Sequence, residues 1–132
     1  MLGWSQEFPF EKSSISENAP TVAGCYEILQ SAEYPRYYGL TRTLKFGESA
    51  KSLQGELANH LQRHAAANRL KGISGQPGLS VTFRYMVSTP IKSREIESQL
   101  LRDFEVRHWD LPLLNNQRGF PRNEDGFYTN SS

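Results

Sequence analysis

The sequence predicts a single α+β domain whose elements run strand, strand, helix, strand, helix, and three stretches carry that prediction. In residues 79–87, Leu79, Val81, Phe83, Tyr85 and Val87 alternate with Ser80, Thr82, Arg84 and Met86, the period of a half-buried strand. Residues 53–71 and 93–104 repeat their hydrophobes at helical spacing, and serines stand where each run begins. A chain of 132 residues suits one core, here divided into a lead-in over 1–20, a domain over 21–118 and a tail over 119–132, all one structural unit.

Taken in order, residues 1–20 read as an irregular lead-in, a loop or short helix laid across the core by Trp4, Phe8 and Phe10, with turn chemistry over 13–20. The run 21–30 puts Val22, Gly24, Tyr26 and Ile28 on one face of a strand and Cys25, Glu27 and Leu29 on the other. After a polar connection over 31–36, the β-branched and aromatic content of 37–49 fits one or two short strands, broken or bulged at Gly39. Ser49 or Ser52 then caps a helix that continues to Lys71, buries Leu53, Leu57, Leu61 and Ala65, and stops at Gly72 as a left-handed C′ residue. Residues 72–78 form a flexible loop, 79–87 a strand beside the first, and Pro90 closes that strand. Ser93 opens the last helix, residues 109–116 bring the chain back to the core, and 117–132 are polar, with Phe120, Phe127 and Tyr128 as tethers.

Composition excludes several classes of function. A net charge of +1 provides no global basic field, so nucleic acid would have to be met by a local patch such as Arg36, Arg42, Lys45 and Lys51. With 22% charged and 37% hydrophobic residues and no apolar run of membrane-spanning length, a soluble protein is expected. The first residues lack the basic-then-apolar build of a signal peptide, and the lone Cys25 can make neither an internal disulfide nor a cysteine zinc cluster; an intracellular, cytoplasmic protein is expected.

The residue that asks for explanation is Glu97. At about 100° per residue, Ile96, Leu100, Leu101 and Phe104 fall within about 140° of arc, and Glu97 lies inside that arc while Glu95 points away. A carboxylate at a helix–core boundary is costly unless it is hydrogen-bonded, paired or bound to a cation. Earlier in the chain, His60 and His64 stand one helical turn apart, with Glu56 and Arg63 on the face adjacent to His60. No HExxH pattern surrounds these histidines, so zinc is not indicated.

In that order, Gly24-Cys25-Tyr26, the helix through Asn59-His60-Leu61, Glu97-Ser98-Gln99-Leu100-Leu101 and Pro112-Leu113-Leu114-Asn115 resemble the motifs of the GIY-YIG nuclease superfamily over residues 22–118. The second motif fits two registers: Tyr37-Tyr38-Gly39 is the literal match, whereas Leu44-Lys45-Phe46-Gly47 leads straight into the helix, as the family's second strand does, and puts Lys45 at the tyrosine position. The second is favoured for backbone placement, with Tyr37 or Tyr38 left as alternative site tyrosines. The chain also carries Glu56 where the family has an arginine.

The resemblance implies a small α+β domain with a central antiparallel three-stranded sheet flanked by helices, and a metal-dependent endonuclease acting on nucleic acid, DNA or RNA. It assigns Glu97 as the ligand of Mg²⁺ or Mn²⁺, Tyr26 with His60 to orient or deprotonate the attacking water, Lys45, Arg42 or Arg63 to hold phosphate, and Asn115 to fix the site by hydrogen bonds. Glu56 and Lys45 also fit an alternative, a catalytically degraded relative that binds nucleic acid or a protein partner without cleaving it.

Overall fold

Among residues 3–62 and 67–115, which the computed structural model describes, four strands and four helices follow one another. They are β1 (Phe8–Pro9), α1 (Lys12–Asn18), β2 (Gly24–Pro35), β3 (Leu40–Ser49), α2 (Leu53–Gln62), α3 (Ala67–Ser74), β4 (Val81–Val87) and α4 (Pro90–His108). The strands form one antiparallel sheet in the order β1-β4-β2-β3. The fold is therefore α+β, but with four strands where the sequence predicted three.

The added strand comes from the lead-in. Phe8 packs on Phe83 and Tyr85 at centroid distances of 5.6 and 6.2 Å, which brings two residues of backbone alongside β4. Pro9 has no N–H to give and sits in an edge strand, where it does least harm. Just beyond, α1 buries Ser14 and Ile15, so the lead-in is ordered rather than irregular. Two paired residues are too few to show a period.

β2 is the central strand, buried from Gly24 through Gln30. Residues directly opposite one another across a ladder share a face, so Tyr26, Gly47 and Tyr85 point one way while Cys25, Glu48 and Met86 point the other, with Glu27, Phe46 and Arg84. On the first face Tyr26, Ile28 and Phe83 pack with Ile15, Leu53, Leu57 and Leu70 of the first three helices. The second face is covered by α4, whose Leu101 and Phe104 meet Phe46.

β3 is an edge strand, and its outer side is covered by the segment after α4. Leu114 donates its N–H to the Leu44 carbonyl at 2.8 Å, and the Asn115 amide both accepts from Phe46 N and donates to Phe46 O, each at 2.9 Å. The Asn115 side chain thus occupies the hydrogen-bonding position of a fifth strand.

Element boundaries differ from the expected ones where capping chemistry has two solutions. Gly72 lies inside α3, and the glycines with positive φ are Gly39 and Gly78. Ala65 falls outside the described residues. α4 starts at Pro90 rather than Ser93: Thr89 accepts from Lys92 N at 3.2 Å as N-cap, and a proline in the first turn forfeits no helical hydrogen bond. None of the helices among the described residues is long and apolar enough to cross a membrane.

Gly47 is fixed by contact rather than by its own dihedral angles. A Cβ added there would lie 2.2 Å from both Cζ and the hydroxyl oxygen of Tyr26, so the ring rests directly on the β3 backbone. Gly47→Ala is expected to lower the unfolding free energy by about 1–3 kcal/mol. Gly55→Ala, whose Cβ would meet only ordinary contacts at 3.5 Å or beyond, should leave stability unchanged or raise it by up to about 1 kcal/mol. Urea denaturation of the two variants beside the wild type checks both values.

Candidate functional site

The first half of the site joins β2 to α2. Tyr26 and His60 are fully buried, with Tyr26 Oη 3.1 Å from His60 Nε2 and the rings edge to face. His60 Nδ1 lies 2.8 Å from the Glu56 carbonyl one turn earlier. A carbonyl only accepts, so Nδ1 carries the hydrogen and Nε2 accepts the Tyr26 proton. Glu56 Oε2 stands 3.4 Å from the same hydroxyl, a longer contact, because the phenol has one proton to give.

Burial raises the Tyr26 pKa well above its ordinary value, and the charges of Glu56 and Glu97 add to the rise. Tyr26 is therefore a neutral phenol near pH 7, the form that can orient a water by hydrogen bonding rather than take its proton. Burial also raises the Glu56 carboxyl and Glu48 pushes the same way, against the lowering influence of Lys45 and of the Tyr26 hydrogen bond. Of these three groups, Glu56 is the one left half-buried rather than sealed.

The second half lies between β3 and the first turns of α4. Ser93 is completely buried; its hydroxyl is 2.8 Å from Glu48 Oε2 and 2.9 Å from the Pro90 carbonyl, and its own carbonyl accepts from Cys25 Sγ at 3.0 Å. Desolvation, with the charges of Glu97 and Glu48, pushes the Cys25 thiol up to about 12, so this cysteine is a packed thiol and not a nucleophile. One turn past Ser93, Glu97 is half-buried, and among the described residues its carboxylate meets no hydrogen-bond donor and no ion-pair partner. Its pKa is raised to about 7, first by desolvation and then by Glu48, with Glu56 contributing, against Lys45 and Arg94.

Lys45 connects the two halves. Burial lowers its pKa, while the charges of Glu97 and Glu56 hold it up. Among the described residues its ammonium has no hydrogen-bond partner, and since no sealed side-chain nitrogen or oxygen there lacks one, Nζ keeps some contact with solvent in a residue that is otherwise buried. The result is an edge-strand recess where two carboxylates, Glu56 and Glu97, act on one ammonium without closing onto it, while Glu48 acts on both carboxylates.

Other residues named from the sequence lie elsewhere. Tyr37 and Tyr38 are 77% and 61% exposed at the β2–β3 hairpin and stack on Trp109. Gly39 has φ 81°, so the glycine of the literal match serves the hairpin turn, at the opposite end of β3 from Gly47 and about 20–25 Å from it. It is Gly47 that lies opposite Tyr26. Arg42 is committed to Glu7, at 2.7 and 3.1 Å, and to the Gln30 carbonyl at 2.9 Å, which removes it from the set of phosphate-binding cations. Asn115 holds the backbone of Phe46, between Lys45 and Gly47, and so positions the site through the strand. Arg63 and His64 fall outside the described residues. Glu48 and Glu56 were not named as site residues; the one signal for Glu48 was its place beside Gly47 at the end of a strand entering a helix.

Among the described residues no three His, Cys, Asp or Glu side chains gather as a ligand set. The donors that are present still suit a hard cation. Glu97 is uncompensated and Glu48 raises its pKa, a combination that a divalent ion held by one or two carboxylates and several waters would relieve. Set against protein-family models, curated proteins and solved structures, the chain matches none.

The Glu97 shift has a direct consequence for stability. In the unfolded chain this carboxyl ionises near 4.5 and in the fold near about 7, so across that window the folded state holds a proton the unfolded state has lost. Its contribution to stability therefore falls as pH rises from about 4.5 to 7 and is level beyond. Glu97→Gln is expected to stabilise the protein by about 1–2 kcal/mol at pH 8 relative to wild type and by nothing at pH 4. Urea titrations at both pH values test this, and parallel wild-type and variant curves would show a normally ionising Glu97.

Proposed function

We propose that this chain is a metal-dependent phosphodiester hydrolase of the GIY-YIG kind, acting on nucleic acid and on DNA first. The observation that carries the reading is Glu97, a carboxylate on the inward side of α4 that has neither a hydrogen-bond donor nor an ion pair among the described residues. Were it an ordinary boundary residue, it would bend out to water or close onto Lys45.

Hydrolysis of a phosphodiester needs an activated water, compensation of charge on the phosphoryl oxygens and help for the leaving oxygen. Glu97, with Glu48 beside it, would hold Mg²⁺ or Mn²⁺, which when bound supplies Lewis-acid stabilisation of the phosphoryl charge. Three carboxylates against one ammonium repel a bare phosphate, which is why this chain needs a cation where the family has an arginine. Lys45 would contribute a point charge from its open Nζ. Glu56 would take the proton of the attacking water, its raised pKa bringing it nearer the range of an effective general base. Tyr26 and His60 would hold α2, and Glu56 with it, against β2 through the 3.1 Å contact between phenol and imidazole.

One observation favours a second reading, a relative that binds nucleic acid or a protein partner without cutting. Tyr26 is 1% exposed and His60 not at all, so two groups assigned to the chemistry are closed to substrate.

Incubation of supercoiled plasmid, single-stranded DNA and structured RNA with Mg²⁺ or Mn²⁺ separates the readings. Cleavage is expected from the wild type; Glu56→Gln should lower the rate by about 10²–10⁴-fold and Glu97→Gln by at least about 10²-fold, with circular dichroism unchanged. Absence of cleavage by the wild type on all three substrates would overturn the hydrolase reading in favour of the second.

A further inference from the structure

On the other face of the sheet, away from Tyr26, a half-open cavity of about 280 Å³ lies between α4 and strands β2, β3 and β4. Its chemistry is unlike that of the carboxylate recess. Arg84 is held in place from two sides: Nε donates to Glu27 at 2.5 Å, and the guanidinium lies over the Trp4 ring at 4.5 Å. Glu27, 3% exposed, is itself fixed by the Thr43 hydroxyl at 2.5 Å. With Nε engaged, both terminal nitrogens of Arg84 remain without a hydrogen-bond partner among the described residues at a wall of the cavity, a pre-set fork of the kind that binds oxyanions bidentately. Arg107, exposed and without an ion pair, lines the same cavity from α4.

Two further features narrow the ligand. Phe46 and Phe104 line the cavity together with Trp4, surfaces suited to a flat ring. Asp103, whose carboxylate accepts only from Gln99 at 2.8 Å, offers an acceptor at the wall. His108, with Nδ1 2.7 Å from the Tyr38 carbonyl, presents its other ring nitrogen as a second acceptor. An oxyanion for two guanidinium groups, a planar ring for the aromatic walls and N–H donors for Asp103 and His108 are found together in a nucleotide. The volume lies at the lower end of the range for small-molecule sites, about 300 Å³ upward, which admits one nucleotide and no more.

We propose that this cavity binds a single nucleoside 5′-monophosphate, free or as the terminal nucleotide of a strand, with the phosphate on Arg84 and Arg107 and the base on the aromatic walls. The assignment does not depend on the hydrolase reading, because it uses no residue of the carboxylate recess.

Amide chemical-shift titration with the four ribonucleoside 5′-monophosphates tests it, run beside the matching nucleosides, inorganic phosphate, and a short oligonucleotide with and without a 5′-phosphate. Saturable shifts centred on Trp4, Thr41, Arg84 and Asp103 are expected. Removing the phosphate, or making the exposed substitution Arg107→Gln, should weaken binding by about tenfold or more. Tighter binding of the phosphorylated oligonucleotide than of any free nucleotide would identify a strand end as the ligand, and the reverse a free nucleotide. The proposal fails if no saturable shifts appear at millimolar ligand, if they map outside the cavity, or if inorganic phosphate binds as tightly as the nucleotides.

Discussion

The contact on which the rest of the structure depends is the Tyr26 ring lying against the bare backbone of Gly47. It sets the register of β2 on β3, and through Tyr26 Oη and His60 it fixes where α2 begins its descent across the sheet. Because side chains alternate along a strand, placing Tyr26 on one face commits Cys25 and Glu27 to the other. Three consecutive residues of one buried strand therefore serve three environments: a sealed phenol, a packed thiol and a paired carboxylate.

Comparison of Glu27 with Glu97 shows what distinguishes a compensated carboxylate from one whose proton affinity is raised. Glu27 is the more deeply buried, yet its two oxygens are met by Arg84 and Thr43, so its charge is compensated where it lies. Glu97 keeps more exposure and has no such partners, so its environment appears as a raised proton affinity. Depth of burial alone would have ranked the two in the wrong order.

Much of this was legible in the sequence, and the reasons for the remainder are specific. Strict alternation over 79–87 and the pattern over 21–30 correspond to β4 and β2, and the helical arc with Glu97 inside it corresponds to α4, because periodicity records burial directly. The strand β1 and the roughly two turns of α1 are too short to carry a period, and their place is decided by distant partners, Phe83 and the main core. The fate of Arg42 depended on that same segment: with the lead-in taken as irregular, nothing in the sequence indicated that Glu7 would reach it. Two tyrosines followed by a glycine matched a motif by letter, yet Gly39 is a turn glycine, and only the strand pairing distinguishes it from Gly47.

α4 is fastened at both extremities. Near its start, Ser93 is bonded to Glu48 and receives the Cys25 thiol; at its end, His108 and the Tyr38 backbone exchange two hydrogen bonds, and Trp109, held in a left-handed conformation, stacks on both hairpin tyrosines. Mechanically it is a beam of about 28 Å clamped at each end. Such a beam neither swivels nor lifts away as a flap; its compliant mode is bowing, with the greatest deflection near mid-span, where Glu97 and Leu100 stand. Glu97 of the carboxylate recess and Leu100 of the cavity thus stand within one turn of each other on the same span.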